Sequence, residues 1–375
     1  MDQKGSEITL LEMRDLALKL RQTPGDQVVH LIAETIWGTP GGMRYRHSSV
    51  EGKINDLGNP WYMVLERKEQ VAGVLCLDQR VLVERGDELS AFFIRYFSVA
   101  EGLRRKTKVD AAAEAKESRG NGLFKRFNKS FFNNPKPLLE AGEVEKALLY
   151  AYVEKENARS MEMVMQMGLQ SVAEFKTMIF SRVFPKKRAT VRKFRPEERE
   201  MLLNQIQKTY SEYGFFTGDG LFYKDNYYVL ELDGKIVAGM QAQKASWHVV
   251  EIPGFLGKVA KNILPYVPFF SRLINPKKHQ FAALEGFFWL DGHENKMQEL
   301  LEGVIADMGL NSAVLWFDVE NPKLAIINQH VRWGLLQKLQ DDLPVNIMAK
   351  QIGAWPDGES FEVKRPVYVS AFDAT

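Results

Sequence analysis

The sequence predicts a mixed α/β fold in two tandem halves, each with a mixed, mostly antiparallel sheet flanked by helices. The chain has 375 residues, more than one compact core usually holds. Hydrophobic residues make up 45% of it and charged residues 26%, which is typical of globular proteins and excludes a disordered or collagen-like chain. The third observation is an internal repeat, which predicts that one domain occurs twice.

The repeat is clearest in two segments that are typical of β-hairpins. Tyr62–Gly73 and Tyr227–Gly239 both contain an apolar run, a polar turn and a second apolar run that ends in Ala-Gly. Their offset is 165 residues and grows to 166 across one extra turn residue. Two further matches keep the offset of 166: Leu149–Glu154 with Leu315–Glu320, and Gly168 with Gly334.

This register divides the chain into domains at 1–185 and 186–375. In the first, Val28, Leu31 and Ile32 recur at helical spacing, and the runs predicted as strands are short and apolar. The predicted elements are a strand at 8–13, a helix at 26–37, a hairpin at 62–83, a strand at 91–99, a helix near 123–132, a strand at 148–153 and a helix at 158–167 that Gly168 ends.

The second half repeats this order. Its predicted elements are a strand at 190–194, a helix at 196–213, a hairpin at 227–247, a strand at 281–290, a helix at 294–308, a strand at 313–319 and a helix at 323–331, with strands near 346–352 and 366–371 at the end. Each half also has an insertion, at 101–147 in the first and at 252–280 in the second.

The first insertion is basic. Between residues 101 and 138 there are ten Lys or Arg and four Asp or Glu, a local charge of +6. Because the net charge of the whole chain is +2, the remainder carries −4. Such a segment is either a solvated loop or a site for a phosphate-bearing ligand or nucleic acid. Aromatic residues interleave with the basic ones, but the acidic remainder makes nucleic acid an unlikely partner.

The second insertion is apolar. Within 253–274, Leu256, Val259 and Ile263 share a helical face, and Lys258 lies on the opposite one. Three interpretations stay open: a lid on its own sheet, a hydrophobic wall for an acyl or substrate group, and a peripheral segment that contacts a membrane surface.

Cysteine usage and the N-terminus predict a cytoplasmic protein. The single cysteine, Cys76, cannot form an intrachain disulfide and is most simply a small buried hydrophobe. The histidines show no close metal-ligand spacing, so we propose no metal. The polar segment Met1–Glu7 lacks the apolar core of a signal peptide, and no stretch approaches the roughly 20 apolar residues of a membrane span.

The order of elements is similar to that of the GNAT superfamily of acyl-CoA-dependent N-acyltransferases. The segment Glu156–Leu169 carries the best sequence resemblance, because Asn157, a helix and Gly168 are similar to the asparagine-containing strand end, helix and Gly-Phe of that family. A tandem pair resembles architectures such as mycothiol synthase, N-myristoyltransferase and the peptidoglycan aminoacyltransferases. The resemblance implies acetyl-CoA or another acyl-CoA as co-substrate and a small-molecule or peptide amine as acceptor.

The resemblance also implies where the coenzyme binds. In the family, the pyrophosphate lies on an Arg/Gln-x-x-Gly-x-Gly/Ala loop after the fourth strand, where glycines let main-chain N–H groups approach the phosphate. The family spacing after Val99 places the arginine at Arg104 but puts Thr107 and Val109 on the glycine positions. The glycine-bearing alternative, Arg119–Phe124, has phenylalanine where a small residue belongs. Either the basic insertion rebuilds the phosphate site or the first half has lost the coenzyme.

We expect the first half to bind the coenzyme if only one half does. The corresponding loop of the second half, Asp291–Lys296, has two acidic groups near the helix start and no arginine, which disfavours an anion. The predicted coenzyme-binding residues are Val99, Arg104, Arg105, Lys106, Arg119, Gly120, Asn121, Gly122 and Asn157.

Two residues are candidates for catalysis, which needs a base for the amine and an acid for the leaving thiolate. The resemblance implies an acid four residues before the Gly-Phe pair, a position that Val164 holds in one half and His330 in the other. A surface histidine is the alternative for His330. Glu285 lies in an apolar strand, where a carboxyl group needs a partner or carries a raised pKa, unless it faces solvent.

The function that this sequence favours is acyl transfer to an amine bound near the cleft between the halves, by direct attack. The alternative is a catalytically inactive GNAT-like binding protein. Its basic segment would contact a phosphate-rich partner, and its apolar insertion a protein or membrane surface.

Overall fold

The structure is a computed structural model. It describes residues 6–39, 42–48, 50–84, 86–100, 131–252, 272–275, 277–340, 344–356 and 362–375. The predicted helix near 123–132 falls outside these residues up to position 130, as does most of the apolar stretch 253–274. None of the helices in the described ranges is long and apolar enough to cross a membrane.

Strands from both halves form one mixed sheet. The first half contributes β1 (Glu7–Met13), β2 (Leu16–Arg21), β3 (Arg44–His47), β4 (Pro60–Arg67), β5 (Gln70–Glu84), β6 (Asp87–Val99), β7 (Lys146–Glu154) and β8 (Gln170–Ser181). The second contributes β9 (Val191–Lys193), β10 (Tyr227–Leu232), β11 (Lys235–Glu251), β12 (His279–Trp289), β13 (Ser312–Asp318) and β14 (Val345–Gly353).

The sheet order is β1-β2-β4-β5-β6-β7-β14-β8-β13-β12-β11-β10-β9, and β3 pairs with β11 beside this path. Neighbouring strands are antiparallel except for two parallel pairs, β6 with β7 and β12 with β13. The last strand of each half pairs within the other half: β8 pairs with β13, and β14 pairs with β7 and β8. The halves therefore share main-chain hydrogen bonds at the centre of the sheet.

Helices cover both faces of this sheet. Those of the first half are α1 (Asp26–Glu34), α2 (Val50–Asn55), α3 (Lys136–Ala141) and α4 (Ala158–Gln166), and those of the second are α5 (Arg199–Tyr210), α6 (Met297–Asp307), α7 (Pro322–His330), α8 (Leu335–Leu339) and α9 (Ala371–Ala374). Helices α1 and α2 pack on Tyr62 and Val64, whereas α3 and α4 share a cluster with Met63 and Leu65. Because side chains alternate along β4, these two pairs of helices lie on opposite faces.

Most predicted elements are confirmed. Both hairpins form, as β4–β5 and β10–β11, and the order of strands and helices from β4 to β8 recurs from β10 to β14. Gly168 ends α4 with a φ of 87°. The Leu169 N–H donates to the Val164 carbonyl and the Gly168 N–H to the Met165 carbonyl, which is a Schellman cap.

The predicted strand at 366–371 is wrong. Val367 makes one isolated bridge to Gly214, and the chain then turns into the short helix α9. Main-chain groups of this segment bond to a loop residue and to side chains and not to a strand: the Tyr368 N–H donates to the Gly214 carbonyl, the Val367 N–H to Asp318 Oδ2 and the Ala371 N–H to Glu285 Oε2. The sequence did not predict β2, β3, β8, α2, α3, α8 or α9.

Candidate functional site

Each half has a β-bulge at the point where its parallel strands separate. Strand β6 pairs with β7 from Ala91 to Ile94, and Tyr96 then has a φ of 54°. Strand β12 pairs with β13 from Ala282 to Leu284, and Gly286 then has a φ of 55°. A bulge bends its strand, so the partner strands diverge beyond it. We name the resulting gaps the first opening (β6/β7) and the second opening (β12/β13).

Side chains of the second half fill the second opening. Leu221 packs so closely on Gly286 that an added Cβ would lie 2.3 Å from its Cδ2 atom. The Tyr210 hydroxyl donates to the Phe287 carbonyl on β12 at 2.9 Å, and the Tyr213 hydroxyl donates to Asn321 Oδ1, just beyond β13, at 3.0 Å. The rings of Tyr210 and Tyr213 contact each other at 4.9 Å, so together these side chains connect β12 with the end of β13.

The ammonium of Lys323 adds to this filling. It lies 5.1 Å from the ring centroid of Tyr210 and 5.5 Å from those of Tyr213 and Trp289. Burial among these rings lowers its pKa to about 8. The second opening is therefore closed by a cation on aromatic faces as well as by hydroxyl bridges.

The first opening is crossed at its mouth by the segment that follows α1. The Trp37 ring lies 6.1 Å from the Tyr96 ring on β6, and the Thr39 N–H donates to Glu154 Oε2 at the end of β7 at 3.1 Å. In the described part of the chain, no tyrosine or lysine side chain bridges this opening as in the second half. The two halves thus share a bulge and differ in what fills the gap beside it.

Buried charged groups lie on the sheet beside the first opening. Arg80 Nη1 donates to both carboxylate oxygens of Asp373 at 2.7 and 2.6 Å, and Arg80 Nη2 donates to Asp78 Oδ2 at 2.5 Å. All three side chains are at most 5% exposed. Asp78 Oδ1 has no hydrogen-bond partner among the described residues. This cluster holds the C-terminal segment on strand β5.

Two cationic side chains, Lys53 and Arg95, border this cluster together with the neutral His47. We call these three residues the cationic corner. Lys53 donates to the Thr375 hydroxyl and lies over the Phe372 ring at 4.7 Å. Burial and then the Arg95 charge lower the pKa of Lys53 well below its usual value. Burial, Lys53 and Arg95 lower the pKa of His47 to about 3. The corner thus has a positive potential that its own groups do not cancel.

Aromatic rings form the wall of this corner. His47 lies 5.9 Å from Trp37, 5.4 Å from Tyr45 and 6.4 Å from both Tyr96 and Trp247, measured between ring centroids. Strand β3 brings Tyr45 onto Trp247 of β11 in a stacked pair at 3.9 Å. Residues of both halves therefore build the wall.

Two crystal structures of Saccharomyces cerevisiae N-myristoyltransferase with bound myristoyl-CoA align over 98% of this chain at 12% sequence identity. One gives a TM-score of 0.57 and covers 92% of that chain, and the other gives 0.58 and covers 87%. The chain has a GNAT-superfamily fold. A GCN5-related N-acetyltransferase from Sphaerobacter thermophilus aligns over 82% of this chain and 86% of that chain, with 12% identity and a TM-score of 0.43. No family model matches the sequence, and no curated protein matches it significantly.

Within the GNAT fold, Glu285 comes directly before the bulge residue Gly286, as Arg95 comes directly before Tyr96. Glu285 is 3% exposed, so it does not face solvent. Its Oε2 atom accepts from the Tyr368 hydroxyl at 2.9 Å and from the Ala371 N–H at 3.1 Å. Burial raises its pKa, and Oε1 has no hydrogen-bond partner among the described residues.

His330 lies elsewhere in the fold. It is exposed at the end of α7 and lines a surface cavity of about 490 Å³ with Arg188, Gln298 and Arg332. None of the residues around that cavity belongs to the openings or the cationic corner, so the structure does not bring His330 to Glu285.

Of the predicted coenzyme-binding residues, two are described. Val99 is the buried end of β6, and Asn157 caps α4 by accepting from the Ser160 N–H at 3.1 Å. Both border the first opening. Arg104, Arg105, Lys106, Arg119, Gly120, Asn121 and Gly122 lie outside the described residues. Cys76 is fully buried in the apolar cluster under α1 and α2, as predicted.

Sequence reasoning missed Arg80, Arg95, Lys53 and Asp373. Two arginines in otherwise apolar strands were a signal of the same kind as Glu285, because a buried charge needs a partner or a role.

Proposed function

We propose that this protein is an N-acyltransferase that moves an acyl group, most simply acetyl, from acyl-CoA to an amine. One observation carries the proposal: among the described residues, the first opening keeps the bulge of the fold without the side-chain filling that closes the second. The N-myristoyltransferase crystal structures that share the fold contain bound myristoyl-CoA, which supports an acyl-CoA co-substrate.

The coenzyme is proposed to lie with its thioester at the Tyr96 bulge and its phosphates toward the basic segment that follows Val99. The acceptor enters from the aromatic wall. The carboxylate of Glu285 suits the base, because burial raises its pKa toward the working range and one of its oxygens has no partner among the described residues. The main chain of α9 connects it to the corner, since Thr375 Oγ1 donates to the Ala371 carbonyl at 2.8 Å.

Acyl transfer to the amine proceeds by direct attack on the thioester. The ammonium gives a proton to the base, and its nitrogen forms a bond to the thioester carbonyl carbon. The carbon–sulfur bond then breaks, the second proton leaves the nitrogen, and the coenzyme departs as a thiol.

The first test is coenzyme binding to the full chain, measured by thermal shift and titration calorimetry with acetyl-CoA, desulfo-CoA and myristoyl-CoA. A ligand at 100 times its dissociation constant stabilises the native state by about 2.7 kcal/mol. Absence of binding by all three would refute the proposal and favour a non-catalytic binding protein. Release of free thiol from acetyl-CoA in the presence of amines then tests transfer.

A matched pair of variants tests which half binds the coenzyme. Asn157 and Asn321 cap α4 and α7 at corresponding places. Asn157→Ala should destabilise the fold by about 1 kcal/mol because it removes a helix cap, and Asn321→Ala should cost more because it also leaves the Tyr213 hydroxyl without its acceptor. We expect only Asn157→Ala to weaken coenzyme binding. Equal weakening, or weakening by Asn321→Ala alone, would contradict the placement.

A further inference from the structure

The guanidinium of Arg95 is buried with part of its hydrogen-bonding capacity unused. Its side chain is 4% exposed. Nη2 donates to the Tyr96 hydroxyl at 3.1 Å and lies 3.5 and 3.4 Å from the main-chain oxygens of Phe372 and Thr375. Nε and Nη1 have no hydrogen-bond partner among the described residues. Buried polar groups are nearly always paired, so unpaired donors on a buried cation point to an anionic ligand.

The neighbouring carboxylates do not hydrogen-bond these donors. The Asp373 Oδ1 atom lies at ion-pair distance, 4.0 Å, from Arg95 Nη1, but both Asp373 oxygens accept their hydrogen bonds from Arg80. Asp78 Oδ2 also accepts from Arg80, and Asp78 Oδ1 has no hydrogen-bond partner among the described residues. Arg95 and Asp78 therefore each keep hydrogen-bonding atoms that no described residue satisfies, and they do not bond to each other.

The side chains of Arg95 and Asp78 lie on the same face of the sheet. Arg95 is paired with Cys76 across β5 and β6, and Asp78 lies two residues further along β5, on the same sheet face. Arg80 and Arg95 lie 5.3 and 5.9 Å from the ring centroid of Phe93, which confirms the shared face. A small ligand with an anionic and a cationic group close together matches this arrangement.

The part of this sheet face around Arg95 borders the first opening, because Arg95 directly precedes the bulge residue Tyr96. Lys53 and His47 are half-buried neighbours of Arg95. With Lys53 and Arg95 in it, the corner attracts anions as they approach.

We infer that the acceptor is a free amino acid: Arg95 binds its α-carboxylate, and Asp78 binds its ammonium until the base removes a proton. This inference rests on the proposed N-acyltransferase function and names its acceptor class. The product is then an N-acyl amino acid, which keeps its carboxylate.

The test is a binding comparison between matched ligands. Each of the twenty amino acids and its α-amide is added at millimolar concentration to the full chain with desulfo-CoA, and thermal shift and calorimetry measure binding. Because a hydrogen bond to a charged group is worth a factor of about 10 to 100, at least one amino acid should bind that much more tightly than its amide. Thiol release from acetyl-CoA should show the same preference in kcat/KM.

Variants assign this preference to Arg95. Arg95→Gln should bring acid and amide to equal affinity, and Arg95→Lys should retain part of the preference as a point charge. The ratio of the affinities for the amino acid and its amide is measured within one protein. A variant that is merely less stable would therefore not change this ratio. Arg182→Gln is the matched control, because Arg182 lies over the Phe180 ring and donates to the main-chain oxygens of Ser181 and Arg332, away from the cationic corner. It should leave the ratio unchanged.

Three outcomes would overturn the inference. One is that no amino acid binds, and another is that amides bind as well as acids. The third is that Arg95→Gln lowers kcat equally for all acceptors, which would make Arg95 a stabiliser of the reacting carbonyl oxygen. Failure of acetyl-CoA and desulfo-CoA to bind would instead refute the proposed function.

Discussion

Replacing Asp373 with asparagine should destabilise the protein by about 3 kcal/mol. The Asp373 side chain is 0% exposed, and both of its oxygens accept from Arg80, which is itself 3% exposed. Removing one partner of a buried ion pair costs about 3–5 kcal/mol, because the other charge stays buried. Arg80 keeps its hydrogen bond to Asp78, so we expect the lower end of this range.

Urea unfolding at neutral pH measures this change, as the shift in midpoint multiplied by the slope of the unfolding free energy. Glu320→Gln is the control. Glu320 is 61% exposed and lies 3.2 Å from Arg365, and an exposed pair of this kind contributes less than about 1 kcal/mol. If Asp373→Asn shifts the midpoint no more than Glu320→Gln does, the C-terminal segment is not held by a buried ion pair, and the inferred charge balance around Arg95 fails with it.

Two further predictions concern the second bulge and the N-terminal end of α5. Gly286→Ala should lower the free energy of unfolding in urea by about 2–5 kcal/mol, because a φ of 55° strains any side chain and the new Cβ would lie 2.3 Å from Leu221. Gly292→Ala is the control: its φ is 80° but nothing lies within 4 Å, so it should lower that free energy by only about 1–2 kcal/mol. Equal losses would refute the packing argument. The Arg192 hydrogen bonds lower the pKa of Glu198, so this pair stabilises the fold above the unfolded pKa of about 4.3 and loses that effect as pH falls through the folded pKa. The melting temperature of Glu198→Gln should therefore be lower than that of the wild type at about pH 7, and the difference should shrink as the pH falls through the folded pKa of Glu198; a difference that stays constant from neutral pH into acid would contradict the prediction.

Local patterns were sufficient to predict much of the fold. The hairpins at Tyr62–Gly73 and Tyr227–Gly239 and the cap at Gly168 depend on neighbours a few residues apart, and all three are confirmed. The same reasoning failed at 366–371, where alternation predicts a strand. A strand needs a partner with free main-chain groups, and partner availability is not a property of the segment itself.

Glu285 shows how much of the candidate site could be predicted from the sequence. An acid in an apolar strand predicted burial with a partner or a raised pKa, and the structure shows both. Its partners, Tyr368 and Ala371, are more than 80 positions away in the chain. Applied to Arg80 and Arg95, the same argument would have found two buried cations, but no local pattern indicates that Asp373 accepts hydrogen bonds from Arg80 while its distance from Arg95 is 4.0 Å.

The sequence by itself determined the repeated register of the two hairpins, most of the strands and helices, and the concentration of positive charge after Val99, because periodicity, turn residues and charge are local properties. Only the tertiary structure decided that β8 and β14 pair across the halves, that Tyr210, Tyr213 and Lys323 close the second opening, and that Arg95 and Asp78 keep unsatisfied hydrogen-bonding atoms on one face. Each of these depends on contacts between residues distant in the chain, whose geometry is set when the sheet assembles as a whole.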